Sequence, residues 1–96
     1  MLAMLIKWSD LIVIKDAPVA VQVHGEDVWL IEPDEDEEEA FISTMRKIVE
    51  LGEDVEEEEY FGWMRVPLEK FTPEEKKILK ELMEVGLVKL EGGERL

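Results

Sequence analysis

Few residues in this 96-residue chain could do chemistry, and His24 is the first of them. It is the only histidine, and histidine is the side chain that most often serves as a general acid or base near neutral pH. The two serines, Ser9 and Ser43, lie in no motif that would activate a nucleophile, and the chain contains no cysteine. A histidine without such partners is more often a solvated surface side chain, so we expect no catalytic residue and no enzymatic activity.

Two acidic runs, residues 34–39 and 56–59, contain oxygen ligands of the kind that Ca²⁺ and Mg²⁺ prefer. An EF-hand loop requires a glycine at its sixth position, but no glycine follows residue 34 until Gly52. Consecutive glutamates on a helix point in different directions, so we expect these carboxylates to be solvated rather than to converge on one ion. With 25 acidic residues, no single pair is marked as the acid and base of a hydrolase. We therefore predict no metal site and no cofactor.

The net charge of the chain is strongly negative and unevenly placed. Acidic residues number 25 and basic residues 11, which gives a net charge of −14, and residues 34–63 hold thirteen of the acidic groups but only two of the basic ones. Such a chain repels the phosphates of nucleic acid at long range, so a basic protein is a more suitable partner than DNA or RNA. The absence of asparagine, with 19 glutamates and 8 lysines, is typical of proteins from thermophiles.

The apolar segments are short. No stretch approaches the ~18 uncharged residues of a membrane-spanning helix. The apolar residues 1–6 have no basic region before them and are soon followed by Lys7 and Asp10, which is unlike a secretory signal. The sequence therefore predicts a cytoplasmic protein without a membrane partner.

The elements that position these residues begin with an antiparallel meander in the first third of the chain. Strands are predicted over residues 11–14, 17–24 and 27–32, with turns at Asp16-Ala17 and Gly25-Glu26, and residues 4–8 could add a fourth strand. Residues 11–14 do not alternate between apolar and polar, so both faces of this strand should be covered, either by the chain's own helices or by a second copy. The second possibility predicts a homodimer with Leu11, Ile12, Val13 and Ile14 in its interface.

The rest of the chain predicts two helices and two short strands. A helix over residues 36–51, capped by Asp34 or Asp36, carries the apolar stripe Phe41, Met45, Ile48 and Val49. Residues 60–66 have strand character. The second helix, residues 73–85, begins with a capping box in which Thr72 is the N-cap and Glu75 the third helical residue. A short strand over residues 87–90 and a turn over residues 91–94 follow.

The segment from Thr72 to Gly93 resembles the end of a winged-helix domain. Its helix leads through Gly86 into Leu87-Val88 and then into a glycine turn, as a recognition helix leads into a strand and a wing in that family. The resemblance implies a DNA-binding helix carrying Lys76, Lys77 and Lys80, and a nucleic-acid-binding module is one alternative function. The segment departs from the family because no helix-turn-helix precedes this helix, which also carries Glu74, Glu75, Glu81 and Glu84.

These patterns predict one α+β domain over residues 1–96, with a small antiparallel sheet of three to five strands packed against two α-helices. Residues 1–33 form the meander, and residues 34–96 supply a helix, a strand, a second helix and a short strand. The favoured function is a non-enzymatic interaction or assembly module, and a small carboxylate-dependent enzyme is the other alternative. Charge would steer a basic partner and aromatic side chains would anchor it. The predicted partner-binding residues are Glu56, Glu57, Glu58, Glu59, Tyr60, Phe61 and Trp63.

Overall fold

The strands and helices are described here from a computed structural model, which covers residues 3–91. The α+β class is confirmed, because two α-helices accompany two small antiparallel sheets. The elements are β1 (Ala3–Ile6), β2 (Leu11–Val13), β3 (Ala20–His24), β4 (Asp27–Ile31), α1 (Glu38–Leu51), β5 (Glu53–Asp54), β6 (Met64–Pro67), α2 (Pro73–Glu84) and β7 (Val88–Leu90). The predicted turn over residues 91–94 lies largely outside the described residues.

The larger sheet has four strands in the order β5-β6-β1-β7. β1 pairs antiparallel with β6 on one side and with β7 on the other, so that Met4 lies opposite both Val66 and Leu90. All three of these side chains are buried. The predicted strand at residues 4–8 is thus present but shorter. It belongs to a sheet with residues 64–67 and 88–90, and it does not extend the meander.

The meander forms a second sheet of three strands in the order β2-β3-β4. Val13, Ala20 and Ile31 lie opposite one another in adjacent strands, and all three contact the hydrophobic core. Since successive side chains of a strand point to opposite faces, the next row, Ile12, Val21 and Leu30, points away from the core. The chain's own helices therefore cover only one face of this sheet.

The two helices contact each other and close the core. Phe41, Met45 and Ile48 of α1 meet the buried α2 residues Ile78, Leu79 and Leu82 in one hydrophobic cluster. Within residues 3–91, neither helix is long and apolar enough to cross a membrane.

The starts of the two helices agree with the sequence to different degrees. The capping box of α2 is confirmed, because the Thr72 hydroxyl accepts a hydrogen bond from the Glu75 amide and the Glu75 carboxylate accepts one from the Thr72 amide. α1 differs, since a 3₁₀ turn over Glu35–Glu37 precedes it. Neither Asp34 nor Asp36 caps it, because the residue before its first turn is Glu37 and no side-chain cap bond is formed.

Candidate functional site

The predicted partner-binding residues lie on a turn between β5 and β6. Glu56 to Glu59 are all exposed. Backbone hydrogen bonds close the turn, from the Tyr60 amide to the Glu57 carbonyl at 3.0 Å and from the Phe61 amide to the Glu58 carbonyl at 3.1 Å. The acidic run is therefore held on a hydrogen-bonded turn with its carboxylates in water, and we call residues 56–61 the acidic turn.

The three aromatic residues of this region have different environments. Phe61 is 87% exposed. Tyr60 and Trp63 are half-buried, and the Lys89 ammonium lies 4.8 Å from the centre of the Tyr60 ring and 4.5 Å from that of Trp63. Such distances are typical of cation–π contacts. Tyr60 and Trp63 thus stabilise the base of the acidic turn, and Phe61 is the aromatic side chain that remains available to another molecule.

Gly62 fixes the direction in which Phe61 points. Its φ is +89°, a left-handed backbone conformation that residues other than glycine rarely adopt. A Cβ atom here would also lie 2.6 Å from the Ser9 hydroxyl oxygen. The Ser9 amide also donates to the Gly62 carbonyl at 3.1 Å. This anchor was missed from the sequence, where the only signal was a glycine between two aromatic residues.

His24 lies beside Asp10 in an arrangement that does not suit hydrolysis. Its Nδ1 is 3.2 Å from the Asp10 carboxylate, which also contacts Lys7 at 3.4 Å. The Ser9 hydroxyl donates to the other Asp10 oxygen at 3.5 Å. In a catalytic triad the histidine lies between the serine and the acid, whereas here the acid lies between the serine and the histidine. His24 is therefore not placed to take a proton from Ser9.

Burial alone would raise the pKa of the Asp10 carboxyl. The hydrogen bond with His24 and the charge of Lys7 outweigh it, so the pKa of Asp10 lies below its usual value. Asp10 therefore remains ionised, and it forms an ion pair with Lys7 and a hydrogen bond with His24.

An open cleft of about 820 Å³ lies between the meander and the end of α2. His24 and Trp29 line one wall, and Glu81 and Glu84 line the other. Burial raises the pKa of Glu81, and so do the charge and hydrogen bonding of Glu37. Glu37 does not line the cleft, whereas a carboxylate-dependent enzyme needs both carboxyls of such a pair in one site.

Part of the first acidic run, residues 34–39, does bring its carboxylates together. One carboxylate oxygen from each of Asp34, Asp36 and Glu37 lies within 4.8 Å of the other two. The expectation that these side chains diverge was wrong, because residues 35–37 form a 3₁₀ turn rather than a turn of α-helix. One Glu37 oxygen is buried without a hydrogen-bond partner. These like charges repel one another, and Glu81 faces them.

This repulsion predicts that Glu81→Gln stabilises the protein at neutral pH. A carboxyl whose pKa is raised by folding weakens the fold once the pH exceeds its unfolded value, so removing its charge should raise the free energy of unfolding. Because Glu81 is exposed, we expect less than about 1 kcal/mol. Urea unfolding at about pH 7 and about pH 4 would test the sign, since the gain should shrink at the lower pH. An equal gain at both values would contradict the electrostatic explanation.

Of the four predicted dimer residues, two pack against the core and two are exposed. Leu11 and Val13 pack against the core, whereas Ile12 and Ile14 are 53% and 42% exposed. Ile14 lines an apolar pocket of about 330 Å³ against α1, together with Val49. Leu11 and Val13 are therefore not available to a second copy.

Comparisons of this chain with protein families, with curated proteins and with solved structures give no match. The site must therefore be interpreted from its own geometry and charge.

Proposed function

We propose that the protein is a non-enzymatic interaction module that binds a basic partner protein through the acidic turn. The observation that supports this most directly is Phe61, which is 87% exposed and lies two residues after Glu59, the last of four exposed glutamates. When a partner covers an aromatic side chain that is so exposed, the free energy of the system falls. Aromatic residues are among those that contribute most to binding at protein interfaces.

The charges around Phe61 specify the kind of partner. Glu56 to Glu59 carry four negative charges without an ion-pair partner among the described residues, and Glu53 and Asp54 add two more on β5. Such a surface attracts lysine- and arginine-rich surfaces and repels acidic ones. Charge also disfavours the alternative function, nucleic-acid binding through α2. The exposed lysines of this helix, Lys77 and Lys80, are accompanied by exposed glutamates, which are Glu74, Glu81 and Glu84.

The attachment of the turn favours tight binding. Tyr60 and Trp63 are fixed by Lys89, and Gly62 is fixed by Ser9, so Phe61 is presented from a defined backbone. A partner that meets a preorganised anchor loses less conformational entropy on binding. The cytoplasmic location proposed from the sequence is consistent with such a role.

Affinity capture from an extract of the native host would test this function with three variants. We expect one basic protein to be retained by the wild-type chain and to be lost, by at least about tenfold, with Phe61→Ala. It should also be lost when Glu56 to Glu59 are changed to glutamine. The matched control changes four other exposed glutamates, Glu32, Glu35, Glu50 and Glu69, to glutamine and should retain the partner.

Salt supplies the second criterion for this binding. Binding should weaken between about 50 mM and about 500 mM NaCl, because exposed charges are screened over a few ångströms at high salt. The proposal fails if no retained protein depends on Phe61. It also fails if the control variant loses the same proteins, because binding would then reflect net charge alone.

A further inference from the structure

The open cleft of about 820 Å³ between the meander and the end of α2 has an aromatic wall and an acidic wall. Trp29 lies on the meander side, opposite Gln22 of the neighbouring strand, and is 50% exposed. Glu81 and Glu84 lie on the other side, in the last turn of α2, and both are exposed. The Gln22 side chain donates a hydrogen bond to the Val85 carbonyl at 3.0 Å and so joins the two walls.

The acidic side of this cleft is not balanced by the cationic side chains around it. Three exposed glutamates line the cleft and form no ion pair within residues 3–91, and they are Glu32, Glu81 and Glu84. Lys7 and His24 also line it, but both contact Asp10, at 3.4 Å and 3.2 Å. Three carboxylates therefore face the cleft without a counter-charge from these groups.

The end of α2 makes the cleft still more negative. Backbone dipoles give the C-terminus of a helix a partial negative charge, and cationic side chains in the last turn are favourable for this reason. The last turn of α2 has no basic residue and carries Glu81 and Glu84 instead. Burial raises the pKa of Glu81, and so do the charges of Glu37, Asp34 and Glu84. A cation bound here would relieve these repulsions.

We propose that the cleft binds an elongated organic cation with several ammonium groups, that is, a linear polyamine. The Trp29 ring can make a cation–π contact with an ammonium group, and its apolar surface can cover the methylene chain between two such groups. The three glutamates can accept charge-assisted hydrogen bonds from the ammonium groups. The cleft thus offers both of the interactions by which proteins hold organic cations.

A divalent metal ion suits this cleft less well than a polyamine. Such an ion requires several oxygen ligands that converge on one point. Within residues 3–91, the one group of three carboxylates whose oxygens lie within 4.8 Å of one another is Asp34, Asp36 and Glu37. None of these residues lines the cleft. Its own glutamates are divided between the end of β4 and the end of α2, and this spacing matches charges that are separated along a carbon chain.

The concave form of the site favours a small ligand over the proposed basic partner protein. Small-molecule sites are clefts of roughly 300–1,000 Å³, and the volume of this cleft lies within that range. The acidic turn instead presents Phe61 as an exposed anchor, and no residue of the acidic turn lines the cleft. The inference therefore does not depend on the proposed function.

Titration calorimetry with spermidine, a linear triamine, tests the proposal. At about 50 mM NaCl, where exposed charges are weakly screened, we expect saturable binding of about one molecule per chain below about 1 mM ligand. Tryptophan emission supplies a second readout, which should change and saturate over the same concentrations. Trp29→Leu should remove that change, although Trp8 and Trp63 remain, and should weaken binding about threefold.

A pair of double variants separates the cleft from the net charge of the chain. Glu81→Gln with Glu84→Gln should weaken spermidine binding at least about tenfold, because two charge-assisted hydrogen bonds are lost. The matched control is Glu69→Gln with Glu74→Gln, since both residues are exposed, neither lines the cleft, and the net charge of the chain changes equally. The control should bind spermidine as the wild-type chain does. Circular dichroism of each variant confirms that it is folded.

Four results would overturn the proposal. The first is a wild-type chain without saturable binding of spermidine, and the second is a control variant that is weakened as much as the cleft variant. The third is Mg²⁺ that changes the tryptophan emission as spermidine does at the same total charge, because the cations would then form a diffuse layer. The fourth is a Phe61→Ala variant that loses spermidine, which would place the ligand at the acidic turn. Loss of the basic partner by Phe61→Ala tests the proposed function separately.

Discussion

Glu75→Gln should lower the free energy of unfolding by about 3 kcal/mol at neutral pH, because it removes the charge from a buried ion pair. The Glu75 side chain is only 4% exposed. Its carboxylate accepts hydrogen bonds from the Lys47 ammonium at 2.6 Å, the Ser43 hydroxyl at 2.6 Å and the Thr72 amide at 2.7 Å. These contacts join α1 to the start of α2. A neutral amide can neither balance Lys47 nor accept all three bonds.

The pH dependence of the same residue gives an independent check. Burial would raise the pKa of Glu75, but the bonds from Lys47, Ser43 and Thr72 outweigh it and lower the pKa from 4.5 to about 2. A carboxyl with a depressed folded pKa stabilises the protein fully above its unfolded pKa and loses that effect as the pH falls towards the folded one. The contribution of Glu75 should therefore disappear between about pH 5 and about pH 2.

Guanidinium unfolding across this pH range measures both effects. The wild-type protein should lose stability steeply with acid, and Glu75→Gln should lose it less steeply, so that the two curves approach each other near pH 2. Glu74→Gln is the matched control, because Glu74 is the preceding residue and is exposed. Parallel curves for the wild type and Glu75→Gln would contradict the assignment.

Gly62→Ala is the second large effect that we expect, with a loss of about 2–3 kcal/mol. Two effects would destabilise the alanine variant. The backbone at φ +89° is strained for alanine, and the new Cβ would lie 2.6 Å from the Ser9 hydroxyl oxygen. Relief requires the acidic turn to move away from Ser9, which would also displace Phe61. Thermal unfolding followed by circular dichroism would measure the loss.

Gly25 provides the control for this substitution. Its φ is +64°, but a Cβ there would meet nothing within 4 Å. Gly25→Ala should therefore cost only the conformational term of about 1 kcal/mol. If both alanine variants lose equal stability, the contact with Ser9 contributes nothing, and the acidic turn is not anchored as described.

Elements with local signals were predictable from the sequence. The capping box of α2 depends on Thr72 and Glu75, three residues apart, and the β3–β4 hairpin depends on the turn at Gly25-Glu26. The sheet to which β1 belongs was not predictable. Strand propensity near Met4 does not specify a partner, and the partners are residues 64–67 and 88–90. Their choice depends on the packing of both helices over that sheet.

The candidate sites, too, were predictable from the sequence only in part. Contiguous glutamates gave the exposed run at residues 56–59 from sequence alone, but three adjacent aromatic residues did not reveal that Lys89 covers two of them. The non-alternating run at residues 11–14 predicted that both faces of this strand are covered, whereas the chain itself covers only the face with Leu11 and Val13 and leaves Ile12 53% exposed. Alternation places only Ile12 of that strand on the face that points away from the core, and Leu30 shares that face through the register with Val21. Cross-strand register is a property of the folded chain.

The central place of β1 has a consequence for the order in which this protein is made. β1 is the first described strand, yet its two neighbours are β6 and β7, with Met4 opposite residues 66 and 90. On the ribosome β1 emerges long before either of them, whereas the meander can close from adjacent residues. Both edges of the apolar Met4-Leu5-Ile6 segment stay unpaired until β6 has been synthesised, and one edge stays unpaired until β7 has been synthesised. Unpaired apolar edges invite aggregation. The nascent chain therefore remains open to aggregation through β1 until β7, the last strand among residues 3–91, appears.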